Sequence, residues 1–125
     1  GETIRIQFSP HLIPASRGIL TTLYLAPTMK LENGDDVARF KSVIRETFET
    51  AYAGETFVRL LGEERFPDTK NVVGTNVIEI SWQVDPRTGR LIVMSAEDNL
   101  LKGASGQAIQ SLNIMAGFPE TTGLL

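Results

Sequence analysis

The chain has 125 residues, 42% of them apolar and 22% charged, with a net charge of −3. That length supports one domain with a core of its own, and the mild acidity without any basic run gives no footing for nucleic-acid binding. No apolar stretch is long enough to span a bilayer, and with no cysteine the chain offers no disulfide, thiolate metal site or cysteine nucleophile.

Thr3 to Phe8 opens with alternation: Ile4, Ile6 and Phe8 against Arg5 and Gln7. This pattern predicts a half-buried strand. Pro10 and Pro14 then stiffen the stretch from Ser9 to Arg17 into a structured loop. Gly18 to Leu25, rich in Ile, Thr, Leu and Tyr, predicts a second strand. A helix is expected from Asp36 to Ala53, with Asp35 as its N-cap and Gly54 as its stop. Val37, Phe40, Val43, Ile44 and Phe48 make its apolar stripe.

Phe57 to Leu61 predicts a short strand, and Gly62 to Asn76 a polar loop. Val77 to Val84 alternates again, with Ile78, Ile80, Trp82 and Val84 on one face and Glu79, Ser81 and Gln83 on the other. The run from Asp85 to Arg90 has the Pro and Gly of a hairpin loop, and Leu91 to Ala96 returns as the antiparallel partner. A last helix is expected from about Ala104 to Ala116, ended by Gly117 and Pro119. The predicted order is β-β-α-β-β-β-α: an α+β domain, with two helices on one face of a mostly antiparallel sheet. The opposite face, carrying Arg5, Gln7, Glu79, Ser81 and Gln83, is semi-polar; it can be solvated or meet a second sheet in a dimer.

Three segments carry residues suited to chemistry. In FSPHLIPASRG, His11 can donate, accept or move a proton, and Arg17 offers a planar grip on phosphate or carboxylate. DTKNVVGTN, from Asp68 to Asn76, is a polar loop with amides, hydroxyls and a lysine. In DNLLKGASGQ, Asn99 presents an amide, Lys102 a cation beside a helix start, and Gly103 and Gly106 allow close backbone approach to an anion. Taken alone, each has a blander reading: a satisfied loop histidine and surface arginine, a solvated loop, and a capped helix with close-packed glycines. His11 is the only histidine; no His/Asp/Glu cluster has metal-ligand spacing, and no G-x-S-x-G turn supports a serine triad.

In this order, FSPHLIPASRGILTTLY, DTKNVVGTN and SAEDNLLKGASGQAIQSLNIMAGFPETTGL resemble the N-acetyl-gamma-glutamyl-phosphate reductases of arginine biosynthesis. The resemblance implies a fold like the C-terminal domain of glyceraldehyde-3-phosphate and semialdehyde dehydrogenases. It implies a cytoplasmic parent enzyme that reduces an acyl phosphate to an aldehyde with NADP, through a cysteine thioester. Residues 1–125 would be one domain, a fragment of the substrate-binding and dimerisation domain. The dinucleotide-binding domain would lie outside the chain, since no G-x-G-x-x-G follows a strand here. The family's catalytic histidine belongs to an H-x-H-x-P-E-like motif that the chain lacks. No catalytic residue is therefore expected in this chain, and the fragment alone would be inactive.

By the same resemblance, Arg17 and His11 are expected at the substrate, Arg17 gripping its phosphate or carboxylate and His11 orienting the loop. Asn99 is similar to the amide that meets the nicotinamide carboxamide, and Lys102, Gly103 and Gly106 are expected beside the cofactor. The implied partners are a small acyl phosphate, the parent's own nucleotide-binding domain and further copies in a homodimer or tetramer, with no nucleic acid and no membrane. Related reductases of the lysine pathway or of aspartyl phosphate, and a non-catalytic dimerisation or binding module, are the alternatives.

Overall fold

A computed structural model describes residues 5–125. Thr3 and Ile4 of the expected first strand lie outside the described residues, and Arg5 to Phe8 are exposed and form no strand. Alternation requires a ladder to join, and these residues join none among those described. The elements are β1 (Ile19–Leu25), α1 (Gly34–Ala51), β2 (Val58–Gly62), α2 (Thr69–Val72), β3 (Ile78–Val84) and β4 (Leu91–Glu97), then a π-helical turn (Leu101–Ser105) running into α3 (Gly106–Ala116).

The strands form one sheet in the order β1-β4-β3-β2. β4 is antiparallel to both neighbours, while β2 runs parallel to β3. The fold is thus α+β with a mainly antiparallel, mixed sheet. β3 and β4 are joined by the expected tight loop, in which the Asp85 amide donates to the Arg90 carbonyl at 2.9 Å. The parallel pair cannot be joined so tightly. Its connection is the stretch expected to be loop, and it contains α2, too short for any hydrophobic period to reveal.

α1 starts two residues before its expected first residue because Asn33, not Asp35, caps it. The Asn33 side chain accepts from the amides of Asp35 and Asp36 at 2.9 and 3.0 Å, leaving both acids in the first turn, where they favour the positive end of the helix dipole. The apolar stripe of α1 covers the face of the sheet that Trp82 shares with Val84, Leu91 and Val93. Phe40, Trp82, Val84 and Leu91 form the buried centre, ringed by Leu31, Val37, Ile44, Phe48 and Leu60. The Phe48 and Trp82 rings stack at 4.6 Å between centroids and 4° between planes. α3 instead continues the π-helical turn and makes little contact with the sheet, so Leu112, Ile114 and Met115 stay exposed.

The opposite face is less solvated than alternation implies. Glu79 and Ser81 are buried, Glu79 because the segment carrying α2 folds back over it. Glu79 accepts from the Asp68 amide at 3.2 Å and pairs with Arg59 at 2.9 Å. Alternation sets which residues share a face; it does not say what covers that face.

Candidate functional site

The sheet register brings three separate stretches of chain together. Ile19 of β1 and Ile78 of β3 both pair with Glu97 of β4. Residues just before β1, just before β3 and just after β4 must therefore meet at one end of the sheet. These are the ends of the Pro-rich loop, the α2 segment and the start of the π-helical turn.

They meet at Asp98, a fully buried carboxylate. Its Oδ2 accepts the Gly74 amide at 2.7 Å and Nη1 of Arg17 at 3.2 Å. Its Oδ1 accepts the amides of Leu100 and Leu101 at 2.7 and 3.1 Å. Beside it, Asn99 Oδ1 accepts the Gly18 amide at 2.9 Å. Gly18 has φ +109°, and a Cβ there would lie 2.7 Å from Cβ of Thr69 in α2. Only glycine suits both the backbone angle and the close approach of the two loops.

Arg17 is 41% exposed in its side chain, so its guanidinium sits at the rim of the site with one nitrogen tied inward. Asn99 is half-buried, with its oxygen committed to Gly18. His11 is exposed, and its Nδ1 lies 3.1 Å from the Ser9 carbonyl. The contact is local to the Pro-rich loop and does not reach the Asp98 centre.

Lys102 turns its ammonium to Gln110 Oε1 at 2.9 Å and stands 5.7 Å over the Phe57 ring. Gly103 is exposed, and its amide donates to the Asp98 carbonyl at 2.9 Å. Gly106 is buried, and the space a side chain would fill there is taken by Oδ1 of Asn76. The expected helix start at Ala104 is thus continuous with a turn beginning at Leu101. The amides of Leu100, Leu101 and Gly103, donors an external anion would use, are already bonded to Asp98.

Asp98 is the residue that sequence reasoning missed. Its local signal, an aspartate bonding the amides two and three residues onward, was legible. Its reach to Gly74 and Arg17 was not, because it depends on the strand order.

Burial alone pushes the Asp98 carboxyl up, but the amides of Gly74, Leu100 and Leu101 together with the Arg17 charge outweigh it and hold it below the ordinary range. A carboxylate with a lowered folded pKa stabilises the fold above its unfolded value, about 3.9, and that stability is lost as pH falls through the folded value. The urea midpoint should therefore fall as pH drops from about 5 towards 2, and Asp98→Asn should flatten that slope. An equally steep slope in the variant would remove Asp98 from the acid response.

At the other end of the sheet, a shallow groove is lined by Lys41, Arg45, Gly62, Glu63, Arg65 and Gln83. Its centre is satisfied by the protein itself. Lys41, at 2.8 Å, holds the Glu63 carboxyl below its ordinary value against the effect of burial, and Arg45 at 3.3 Å adds to this. Among the described residues no group of three or more His, Cys, Asp or Glu side chains could hold a metal, and no helix is long and apolar enough to cross a membrane.

Residues 1–99 match the model of the family described as semialdehyde dehydrogenase, dimerisation domain. Three curated relatives are each called N-acetyl-gamma-glutamyl-phosphate reductase. That of Akkermansia muciniphila is 52% identical over 99% of this chain and 33% of its own length. That of Geobacter metallireducens is 50% identical and that of Citrifermentans bemidjiense 48% identical, each over 99% of this chain and 34% of its own length. The chain spans about a third of the length of the curated relatives it matches. With a family match over most of its residues and near-complete alignment to these reductases, the chain belongs to the semialdehyde dehydrogenase dimerisation-domain family.

Proposed function

We propose that this chain is the substrate-binding and dimerisation portion of a cytoplasmic, NADP-dependent N-acetyl-gamma-glutamyl-phosphate reductase. The parent enzyme converts N-acetyl-glutamyl phosphate to N-acetyl-glutamate semialdehyde and phosphate in arginine biosynthesis. The observation that carries this reading is the convergence at Asp98: the three segments most like the reductases are those that meet there, with Arg17 at the rim. The relatives' shared name supplies the reaction. The acyl-accepting cysteine and the nucleotide cradle belong to the remaining two thirds of such an enzyme, and the chain has no cysteine of its own.

In this reading Arg17 grips the anionic end of the substrate, and His11 orders the Pro-rich loop around it. Asn99 fits the nicotinamide carboxamide in one orientation: its oxygen is occupied by the Gly18 amide, so its NH2 group is the end offered to a carbonyl oxygen. NADP, when bound, supplies the hydride. Gly103 lines that edge, while Lys102 and Gly106 shape the turn from behind through Gln110 and Asn76. Leu20 and Tyr24 of β1 share a face with Ile92 and Met94 of β4 and are well exposed. We assign that face to a second copy in a homodimer.

Replacing Arg17 by Ala in the full-length enzyme should raise KM for the acyl phosphate about 10- to 100-fold, the worth of a charged hydrogen bond or two. The change in kcat should be smaller, and the melting temperature should fall moderately, because the buried Asp98 loses its cationic partner while keeping its amide bonds. Steady-state kinetics with saturating NADPH check this. An unchanged KM would remove Arg17 from the substrate site. A parent protein without reductase activity would point instead to a non-catalytic binding module.

A further inference from the structure

Arg17 is a long, half-exposed side chain, and such a side chain samples many rotamers unless something holds it. Asp98 is the reverse: fully buried and gripped by backbone amides from two separate segments. It cannot rotate without breaking those bonds. The contact between them is therefore asymmetric, a fixed carboxylate holding one nitrogen of a mobile guanidinium. Only Nη1 is bonded among the described residues, so Nη2 and Nε have no protein partner there and the side chain is 41% exposed. The Arg17 backbone is fixed as well, because the Gly18 amide is bonded to Asn99 and Gly18 lies against Thr69.

We propose that Asp98 is a positioning residue that presets the planar Arg17 guanidinium for two-point recognition of an oxyanion, through two oxygens of a carboxylate or of an acyl phosphate's phosphoryl group. Part of the ordering that a free arginine would undergo on binding is then complete beforehand, and affinity rises accordingly. Asp98 itself touches no ligand. This inference rests on the reading that Arg17 meets the substrate.

The test is a double-mutant cycle in the full-length reductase, using Asp98→Asn, Arg17→Ala and the pair. Asp98→Asn keeps the size of the side chain but puts an NH2 group against existing donors, so Arg17 is released. Alone it should raise KM for the acyl phosphate about tenfold, with kcat within about threefold. In the Arg17→Ala background it should add less than about a twofold rise, although it lowers the melting temperature in both backgrounds. A role confined to stability would multiply KM equally in both backgrounds, and that result overturns the proposal.

If Arg17→Ala itself leaves KM unchanged, the substrate assignment fails and the positioning role fails with it. If Arg17→Ala raises KM and Asp98→Asn does not, only the positioning role falls. Should Asp98→Asn not fold, 15N spectra of the wild-type protein decide. A held guanidinium gives separate Nη1 and Nη2 signals for Arg17 near neutral pH, and one averaged signal overturns the proposal.

Discussion

Replacing Trp82 by Ala is expected to destabilise the protein by about 3–5 kcal/mol, the range for removing a large aromatic from a core. Trp82 is 2% exposed and sits under α1, stacked on Phe48 and paired across the sheet with Val93. It is where helix and sheet are joined. The surrounding side chains come from α1, β2, β3, β4 and Leu31 ahead of α1, and the strands among them are fixed by their ladders, so the cavity can close only in part. Trp82→Phe should cost much less. It keeps an aromatic face for Phe48 and removes a buried indole N–H that has no hydrogen-bond partner. Urea unfolding followed by far-UV circular dichroism measures both variants. A loss below about 1.5 kcal/mol for the alanine variant would mean that the core is not organised around this ring.

The elements most readable in the sequence are those whose periodicity is locally complete. The stripe Val37-Phe40-Ile44-Phe48 placed α1, and the alternation Ile78-Ile80-Trp82-Val84 placed β3, because each pattern reports one face meeting one core. Boundaries shifted where a cap chose between neighbouring polar residues: Asn33 outcompeted Asp35 because its side chain reaches two amides at once. The parallel direction of β2 was not legible, since a pattern of apolar residues is the same in either direction.

The site was legible in composition but not in architecture. Arg17, Asn99 and the Asp68–Asn76 loop stand out by residue type, and their meeting is fixed only by the pairing of Ile19 and Ile78 with Glu97. Asp98 looks like a surface acid in the sequence. Burial in the presence of three amides and a guanidinium is a property of the assembled ends, not of its neighbours in the chain.

Gly106→Ala supplies the second large effect, and its sign opposes helix propensity. Gly106 opens α3, and in a free helix alanine would be favoured over glycine by about 1 kcal/mol. Here the preceding π-helical turn brings the Leu101 carbonyl across the Gly106 Cα, where it accepts the Gly106 amide. A methyl group would lie 2.8 Å from the Leu101 carbonyl carbon and oxygen, and closer still to Oδ1 of Asn76. Backbone of this turn cannot yield without loosening the amides bonded to Asp98. Asn76 is 1% exposed, and its amide donates to Gln110, which also holds Lys102. Overpacking of this kind costs about 1–3 kcal/mol, so we expect a net loss of stability in that range. Under the proposed function the effect reaches the site as well: a displaced π-helical turn carries Asn99 and Asp98 with it, so the proposed parent reductase should lose affinity for both cofactor and acyl phosphate. Urea unfolding and the two KM values read the outcome together. A variant as stable as the wild type would mean that the turn relaxes freely, and the close fit of Asn76 against Gly106 would then have no part in holding the site.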